Sequence, residues 1–359
     1  MRQQIEPMPT PADGLIIVAK RDCPTCTMLE PVYAALVKVD AGLTIYSQDD
    51  PSFPESVLAV DDRNLEISYR FAIETVPTLI RMKQGEEIGR AIGWNRGEWE
   101  ALTGQDGLGD GLPENQPGCG SKSVDPGVPE VLAVRFGDTP LEARRVEVGA
   151  MDDEIEACFQ RGWSDGLPVV PPTPVRVLRM LKGTTRDPQE IVGEIPPNLA
   201  HCTVEKVAIN AVMAGCKPEY LPVVLAAVEA ALDPKFAMHG VLCTTHFVGP
   251  IVVVNGQITK RIGMNSGVNA LGQGNRANST IGRALQLVIR NVGGGRPGEI
   301  DRSTIGNPGK VGLCFAEDER KSIWKPFSEE RGMAAGASAV TLYAGEGLMG
   351  NFDQLSRTP

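Results

Sequence analysis

The residues best suited to chemistry are two cysteines near the start of the chain, Cys23 and Cys26, which are separated by two residues. A strand-like run at residues 15–19 precedes them, and a helical stretch at residues 23–39 begins with them. Cys23 is thus predicted to lie at a helix N-terminus, where backbone N–H groups stabilise a thiolate and lower its pKa. We expect Cys23 to attack a disulfide and Cys26 to resolve the mixed disulfide that results.

A zinc site is the first competing interpretation of this pair. Two cysteines at this spacing supply half of a tetrahedral zinc site, which needs two further Cys or His ligands. Residues 1–102 contain no other cysteine and no histidine. The pair is therefore predicted to be a redox-active dithiol.

Residues 12–102 resemble thioredoxin in three motifs. These are the sequence CPTC at residues 23–26, the sequence Val76-Pro77-Thr78, and the turn Lys83-Gln84-Gly85. The resemblance implies a thioredoxin fold in which Pro77 is a cis proline beside the dithiol and shapes the groove where a client backbone docks.

The chain departs from the thioredoxin pattern at two places. Arg21 and Asp22 stand where the family usually has a tryptophan before its dithiol, and Ile17 stands where it has a buried acid. A thioredoxin fold retained as a docking module with an idle dithiol is therefore the alternative to an active redox centre.

A second group of reactive residues lies in the later part of the chain, where all three histidines fall within 46 residues that also hold three cysteines. Cys202 precedes a predicted helix that Thr203 caps, which favours its thiolate, and we predict that it acts as a nucleophile. The base would be His201, His239 or His246, because a nucleophile and its base need only be close in space.

Residues 239–246 are predicted to form a strand. In a strand, His239 and Cys243 share one face whereas His246 points away, so His239 and Cys243 are further catalytic candidates. Two alternatives stay open for the whole group. One is a metal site, although the spacings match no compact ligand motif. The other is that the cysteines are buried thiols and the histidines are hydrogen-bonded within the fold, without a catalytic role. Cys158 and Cys314 are likewise predicted to be core residues.

A segment rich in Gly and Asn, residues 263–278, precedes a predicted helix at residues 278–291. Backbone amides at that helix start could hold a carboxylate or phosphate, together with side chains nearby. The candidate residues are Asn275, Arg276, Asn278 and Arg283. The alternative is a loop in which Gly supplies positive φ and Asn caps turns.

The elements that must position these residues fall into two predicted domains. Residues 1–104 read as β-α-β-α-β-β-α, the order of the thioredoxin-like domain. Residues 105–137 are dense in Gly, Pro, Asp and Ser and are predicted to be a linker. Residues 138–359 mix helical and strand-like runs, which predicts a second, larger α/β or α+β domain. Cys119 falls in the predicted linker, where it could relay electrons between Cys23 and a distant thiol.

Composition limits the partners of the chain. Its 359 residues carry a formal charge of −10, which argues against binding to nucleic acid or to an anionic membrane. The first twenty residues lack the pattern of a secretory signal, and no apolar run of 18 residues occurs, so we expect a soluble, cytoplasmic protein. The expected partners are a small-molecule substrate or a client thiol protein, with an electron-donating reductase.

These observations lead to one functional hypothesis and one alternative. The hypothesis is a thiol–disulfide oxidoreductase domain fused to a redox enzyme domain that acts on a small polar or anionic substrate through cysteine chemistry. No cofactor is predicted beyond the redox-active disulfide, although a metal in the second domain stays open. The alternative is a thioredoxin-like docking module fused to a hydrolase, a lyase or a metal-binding domain.

Overall fold

The chain folds into a mixed α/β structure, which confirms the predicted fold class. The computed structural model describes residue 11 and residues 13–358 except 41, 56, 150 and 350–352. Residues 1–10, 12, 41 and 56 of the predicted N-terminal domain lie outside the described residues, and they include eleven of the twenty residues inspected for a secretory signal. The chain divides into unit 1, Met1–Asp138, and unit 2, Thr139–Pro359.

Unit 1 is built on a five-stranded sheet. The strands of unit 1, five of which form this sheet, are β1 (Gly14–Ala19), β2 (Thr44–Ser47), β3 (Val60–Asp61), β4 (Thr75–Val76), β5 (Thr78–Lys83), β6 (Glu86–Ile92), β7 (Trp94–Asn95), β8 (Asn115–Gln116) and β9 (Cys119–Gly120). Its helices are α1 (Pro24–Met28), α2 (Glu30–Val39), α3 (Glu66–Arg70), α4 (Arg96–Thr103) and α5 (Val128–Phe136). The sheet has the order β3-β2-β1-β5-β6, with β2 parallel to β1 and β3, and β5 antiparallel to β1 and β6.

Strand β1 lies at the centre of this sheet because its sequence suits burial on both faces. Residues 15–19 are all apolar and fully buried, which is typical of a strand covered on both sides. Aromatic rings fill the core beside it: the ring of Trp99 on α4 lies 6.3 Å from that of Tyr33 on α2 and 5.4 Å from that of Trp94. The strand that leads to Cys23 is therefore held rigidly.

The helix predicted at residues 23–39 is divided at Leu29 into α1 and α2. Pro31 has no N–H to donate to the carbonyl of residue 27, and its ring crowds that carbonyl, so a continuous helix is interrupted there. Cys23 remains the N-cap residue of α1.

Residues 105–137 differ from the predicted linker, because they are folded onto unit 1. Strand β8 pairs with β7, strand β9 pairs with β4, and α5 follows. The side chain of Trp94 donates a hydrogen bond of 2.6 Å to the carbonyl of Pro113. Leu108 is buried in the same core.

The glycines and prolines of this segment serve close packing and turns. A Cβ atom added at Gly118 would lie 2.5 Å from the carbonyl oxygen of Val76, and one at Gly109 would lie 3.0 Å from the indole of Trp94. The glycines that make this segment resemble a flexible linker are present because its backbone approaches neighbouring atoms closely.

Unit 2 places long buried helices against a three-stranded sheet. Its strands are β10 (Ile191–Ile195), β11 (Ala200–Thr203), β12 (Gly249–Asn255), β13 (Leu313–Ala316) and β14 (Ala339–Gly345). Its helices are α6 (Glu154–Gln160), α7 (Pro174–Leu181), α8 (Val204–Ala214), α9 (Leu221–Leu232), α10 (Met238–Cys243), α11 (Gln257–Arg261), α12 (Arg276–Asn291) and α13 (Phe327–Glu330). Strand β12 lies between β13, which is parallel to it, and β14, which is antiparallel, while β10 and β11 form a separate antiparallel pair.

The core of unit 2 is formed mainly by α8, α9 and α12. Helix α9 is apolar around most of its circumference, as expected for a helix surrounded by other elements. Helix α8 begins where the sequence predicts, because the hydroxyl of Thr203 accepts the backbone N–H of Lys206 at 3.3 Å.

The strand predicted at residues 239–246 is wrong: residues Met238–Cys243 form helix α10. Its buried residues, Met238, Val241 and Leu242, follow the spacing i, i+3, i+4 of a helix face. Over so short a run, the β-branched and apolar residues fit either structure, and burial on one helix face decided between them.

No helix within the described part of the chain combines the length and the apolar character needed to cross a membrane.

Candidate functional site

The dithiol of unit 1 sits where β1 ends and α1 begins. Cys23 is the N-cap residue of α1, and its Sγ atom accepts the backbone N–H of Cys26 at 3.4 Å. Pro24 follows as the first helical residue, where its missing N–H costs nothing. The Sγ atom of Cys23 also lies 3.5 Å from the carbonyl oxygen of Val76. Both cysteines are free thiols in this structure.

The two thiols of this pair have opposite acidities. The thiol of Cys26 donates a hydrogen bond to the sulfur of Cys23, and with the backbone N–H of Cys26 it lowers the pKa of Cys23 to about 5, against the opposing effect of burial. Burial and the neighbouring Cys23 thiolate raise the pKa of Cys26 far above its ordinary value. Cys23 is therefore the thiolate at neutral pH, and Cys26 keeps its proton.

Pro77 lies beside this pair. The peptide bond between Val76 and Pro77 is cis, as the resemblance implies. This bond joins β4 to β5, and the carbonyl oxygen of Val76 lies 3.5 Å from the sulfur of Cys23.

A third thiol, that of Cys119, completes this site. Strand β9 pairs antiparallel with β4, with Cys119 opposite Val76 and Gly120 opposite Thr75. Cys119 packs against the core that contains the dithiol and makes a smaller contribution to the low pKa of Cys23. Burial, the hydrogen bond to Cys23 and the charge of the Cys23 thiolate raise the pKa of Cys119 itself. The sequence singled out Cys119 as a residue of a linker, whereas the structure places it in contact with the dithiol.

Side chains on both sides hold the segment that carries Cys119. The hydroxyl of Thr25 donates to the carbonyl of Pro117 at 2.7 Å, and the ammonium group of Lys20 donates to the carbonyl of Gly120 at 2.9 Å. Residues 117–120, which we call the cover segment, are thus tied to the strand before the dithiol and to α1.

A buried polar network anchors the chain directly after the cover segment. The amide group of Gln48 donates to the hydroxyls of Ser68 and Ser121 at 2.7 and 2.6 Å. Its oxygen accepts the backbone N–H of Lys122 at 3.0 Å. Sequence reasoning missed Gln48, because nothing in its neighbours indicates that it meets residues more than seventy positions away.

The predicted nucleophile of unit 2, Cys202, is not placed for catalysis. It has 0% of its surface exposed, and burial raises its pKa to about 12. His201 cannot be its base, because successive residues of β11 point to opposite faces; its ring lies 3.2 Å from Glu194 at the exposed surface. The start of α8 favours a thiolate at Cys202, but the cost of burying a charge outweighs that effect.

The other predicted residues of this group lie on or after α10. His239 and Cys243 are exposed and four positions apart on that helix, not on a strand. The ring of His246 lies beside Glu346, with Nδ1 and Oε1 2.5 Å apart. In the described ranges, no group of three or more His, Cys, Asp or Glu side chains could hold a metal ion.

The predicted anion-binding residues are engaged within the fold. Asn275 caps α12 by accepting the backbone N–H of Asn278, and Asn278 donates to the carbonyls of Asn265 and Ala270. The structure therefore agrees with the alternative in which asparagine side chains stabilise turns.

The two arginines of that prediction are also engaged. Arg276 donates to the carbonyl of Gly215 at 2.9 Å. Arg283 forms two hydrogen bonds of 2.8 Å to the carboxylate of Asp165, and this ion pair is largely buried. Because Asp165 balances its charge, Arg283 does not present a free cation to a ligand.

Unit 2 contains a cavity of about 680 Å³ that the sequence did not reveal. Apolar side chains such as Ile209 and Met213 contribute to its wall, together with Lys206 and Asn210 on α8. Buried Glu205 accepts the backbone N–H groups of residues 142 and 143, which fixes another part of the wall. A mostly apolar cavity with a few polar groups is typical of sites for small organic ligands.

The geometry therefore offers two candidate sites, the three thiols of unit 1 and the cavity of unit 2. Comparison of the chain with models of protein families, with curated proteins and with solved structures found no match.

Proposed function

We propose that unit 1 is a thioredoxin-like module that exchanges thiols and disulfides, with Cys23 as its nucleophile. The observation that carries this proposal is the acidity of Cys23. Its sulfur receives hydrogen bonds from the thiol and the backbone N–H of Cys26, and its pKa is lowered to about 5. At neutral pH, Cys23 is thus a thiolate, which is the form that attacks a disulfide.

The exchange proceeds in two balanced steps. The Cys23 thiolate attacks one sulfur of a client disulfide, forms a mixed disulfide, and releases the other client sulfur as a thiolate. Cys26 then loses its proton and attacks the sulfur of Cys23, which forms the disulfide between Cys23 and Cys26 and releases the second client thiolate. Two electrons pass from the protein dithiol to the client, and the reverse sequence oxidises a client dithiol.

The difference between the two thiols supports these roles. Cys23 has a low pKa, so it is the thiolate that attacks a client disulfide; in the reverse direction it is a good leaving group when the second client thiol attacks the mixed disulfide. Cys26 is completely buried and keeps its proton until the charge on Cys23 is removed. The order of strand β1, the dithiol and helix α1, which the resemblance also implies, adds support for the thioredoxin-like interpretation.

The proposed setting is the cytoplasm, where a reductant returns the disulfide to the dithiol. The partners in this proposal are a client with an exchangeable disulfide and a reductase that supplies electrons.

The test is a pH titration of thiolate absorbance at 240 nm in the full chain. Wild type should show one thiolate that forms near pH 5, and Cys23→Ser should lose it. Cys243→Ser, which removes an exposed thiol of unit 2, is the control for loss of any cysteine. The reduction of insulin disulfides by dithiothreitol should be accelerated by wild type but not by Cys23→Ser. An ordinary thiol pKa for Cys23 together with no acceleration would contradict the proposal.

For unit 2, we propose a binding site for a small organic ligand in the cavity near Ile209. The observation in its favour is the cavity volume of about 680 Å³, within the range of ligand sites. For unit 2 alone, this favours the non-redox domain of the alternative over cysteine chemistry, because Cys202 is buried and its pKa is raised.

An apolar anionic dye, 8-anilinonaphthalene-1-sulfonate, is a suitable probe for the cavity. We expect its fluorescence to rise with native protein and to fall markedly with Ile209→Trp, which fills the cavity. Ile323→Trp, at an exposed position of the same unit, is the matched control. Equal fluorescence with Ile209→Trp and wild type would contradict binding at this cavity.

A further inference from the structure

We propose that Cys119 is a second resolving thiol for Cys23, so that unit 1 contains a three-cysteine exchange centre in which Cys23 forms a disulfide with either Cys26 or Cys119. This inference rests on the proposed function of Cys23 and extends it to the cover segment.

The first argument is position. Cys119 is the antiparallel partner of Val76, whose carbonyl oxygen lies 3.5 Å from the sulfur of Cys23. Cys119 packs against the buried core that contains Cys23 and Cys26. A thiol held on the strand next to its target has a high effective concentration there.

The second argument is that the backbone is shaped to allow this contact. A Cβ atom at Gly118 would lie 2.5 Å from both the side chain of Thr75 and the carbonyl oxygen of Val76. Only glycine therefore lets β9 approach β4 this closely. The hydrogen bonds from Thr25 and Lys20 hold the cover segment on both sides of Cys119.

The third argument is that oxidation of Cys23 activates Cys119. Burial raises the pKa of Cys119, and the hydrogen bond to the Cys23 thiolate and its negative charge raise it further. Both contributions from Cys23 disappear once its sulfur is part of a mixed disulfide, whereas the attraction of Lys20 for a Cys119 thiolate remains. Cys119 is half-buried, so it pays a smaller desolvation cost than the fully buried Cys26.

The chemical step is balanced. In the mixed disulfide between Cys23 and a client, the Cys119 thiolate attacks the sulfur of Cys23. A disulfide forms between Cys23 and Cys119, the bond from Cys23 to the client breaks, and the client leaves as a thiolate that takes up a proton. The same attack on the disulfide between Cys23 and Cys26 transfers the bond without net oxidation and leaves Cys26 as the thiol.

The test uses oxidised glutathione as the client and tryptic peptide mapping under non-reducing conditions. Cleavage after Arg and Lys leaves Cys23 and Cys26 together on the peptide of residues 22–38 and places Cys119 on the peptide of residues 97–122. A disulfide between Cys23 and Cys26 stays within one peptide, whereas a disulfide between Cys23 and Cys119 joins two.

Cys26→Ser removes the first resolving thiol. In this variant we expect the joined peptides to appear and glutathione to be released. In the double variant with Cys119→Ser, glutathione should remain on Cys23, with its release by internal attack slowed by about tenfold or more. Wild type should yield both disulfides, and Cys119→Ser should yield only the disulfide within the peptide of residues 22–38.

Two results separate failure of this inference from failure of the proposed function. Stable glutathione on Cys23 in Cys26→Ser, with Cys119 left as a free thiol, would overturn the role of Cys119 and leave Cys23 as nucleophile. No glutathione on Cys23 in any variant would contradict the proposed function itself. Cys119→Ala repeats the comparison with a residue that cannot donate a hydrogen bond.

Discussion

Cys119 is the direct antiparallel partner of Val76, the residue whose peptide bond to Pro77 is cis and whose carbonyl oxygen faces the sulfur of Cys23. This pairing occupies the backbone edge beside the dithiol, and only 1% of the surface of Cys23 is exposed. A protein client that approaches Cys23 along that edge must therefore displace the cover segment, residues 117–120.

The pKa of Cys23 should depend on both neighbouring thiols, and more strongly on Cys26 than on Cys119. Cys26→Ala removes the largest contribution to the low pKa of Cys23, and Cys119→Ala removes a smaller one, so both should raise that pKa and Cys26→Ala should raise it more. Because a thiolate reacts and a thiol does not, the pH midpoint of Cys23 alkylation by iodoacetamide should move upward from about 5 in that order. Identical midpoints in wild type and both variants would show that these hydrogen bonds do not set the pKa.

The cover segment should control access to Cys23. Gly118→Ala places a Cβ atom 2.5 Å from the carbonyl of Val76, whereas nothing lies within 4 Å of a Cβ atom at Gly120. We expect Gly118→Ala to speed alkylation of Cys23 at pH 7 by about tenfold, which corresponds to about 1.4 kcal/mol in the free energy of local opening. Gly120→Ala is the matched control and should react like wild type. Equal rates for the two variants would mean that β9 does not restrict access.

Gln48 should be a stability determinant of unit 1. Gln48→Ala removes the hydrogen bonds to Ser68, Ser121 and the backbone of Lys122 and leaves buried polar groups without those partners. We expect a loss of about 2 kcal/mol or more in the free energy of unfolding of unit 1. Hydrogen exchange of the β1 amides in rising urea measures this loss for unit 1 alone.

The matched control for Gln48 is Glu86→Ala, an exposed position at the start of β6, which should change the same free energy by less than about 0.5 kcal/mol. Similar exchange in the two variants would show that the network around Gln48 contributes little.

The ion pair between Arg283 and Asp165 should set the pH dependence of unit 2. Burial alone would raise the pKa of Asp165, but the hydrogen bonds and charge of Arg283 outweigh it and hold that pKa below its usual value. A carboxyl whose pKa is lower in the folded state contributes stability above its unfolded pKa and loses it as the pH falls through the folded pKa. Wild-type unit 2 should therefore keep this contribution at pH 5 and pH 7 and lose it below about pH 4.

Arg283→Gln should reverse this behaviour. It leaves Asp165 buried without its cation, so unit 2 should lose about 3 kcal/mol at pH 7 and regain part of it on acidification to pH 5. Urea denaturation at both pH values measures the effect, and Asp165→Asn combined with Arg283→Gln should restore much of the loss. If Arg283→Gln alone were as stable as wild type at pH 7, the ion pair would not contribute to stability. Arg283 would then remain a candidate for the anion ligand that the sequence predicted.

Local features of this protein follow from the sequence alone. The two cysteines at the end of a buried strand, the cap that Thr203 provides for α8 and the mixed α/β content depend on residues that are neighbours along the chain. Hydrophobic periodicity and capping are short-range properties, so a sequence reports them directly.

Contacts between distant segments were decided only by the tertiary structure. The composition of residues 105–137 predicts a linker, but the pairing of β9 with β4 brings Cys119 to Cys23, 96 positions away. Likewise, the burial of Cys202 and the ion pair of Arg283 with Asp165 depend on which elements pack together. A residue type shows what chemistry a side chain can perform; burial, charge and neighbours, which are set by packing, decide whether it can perform it.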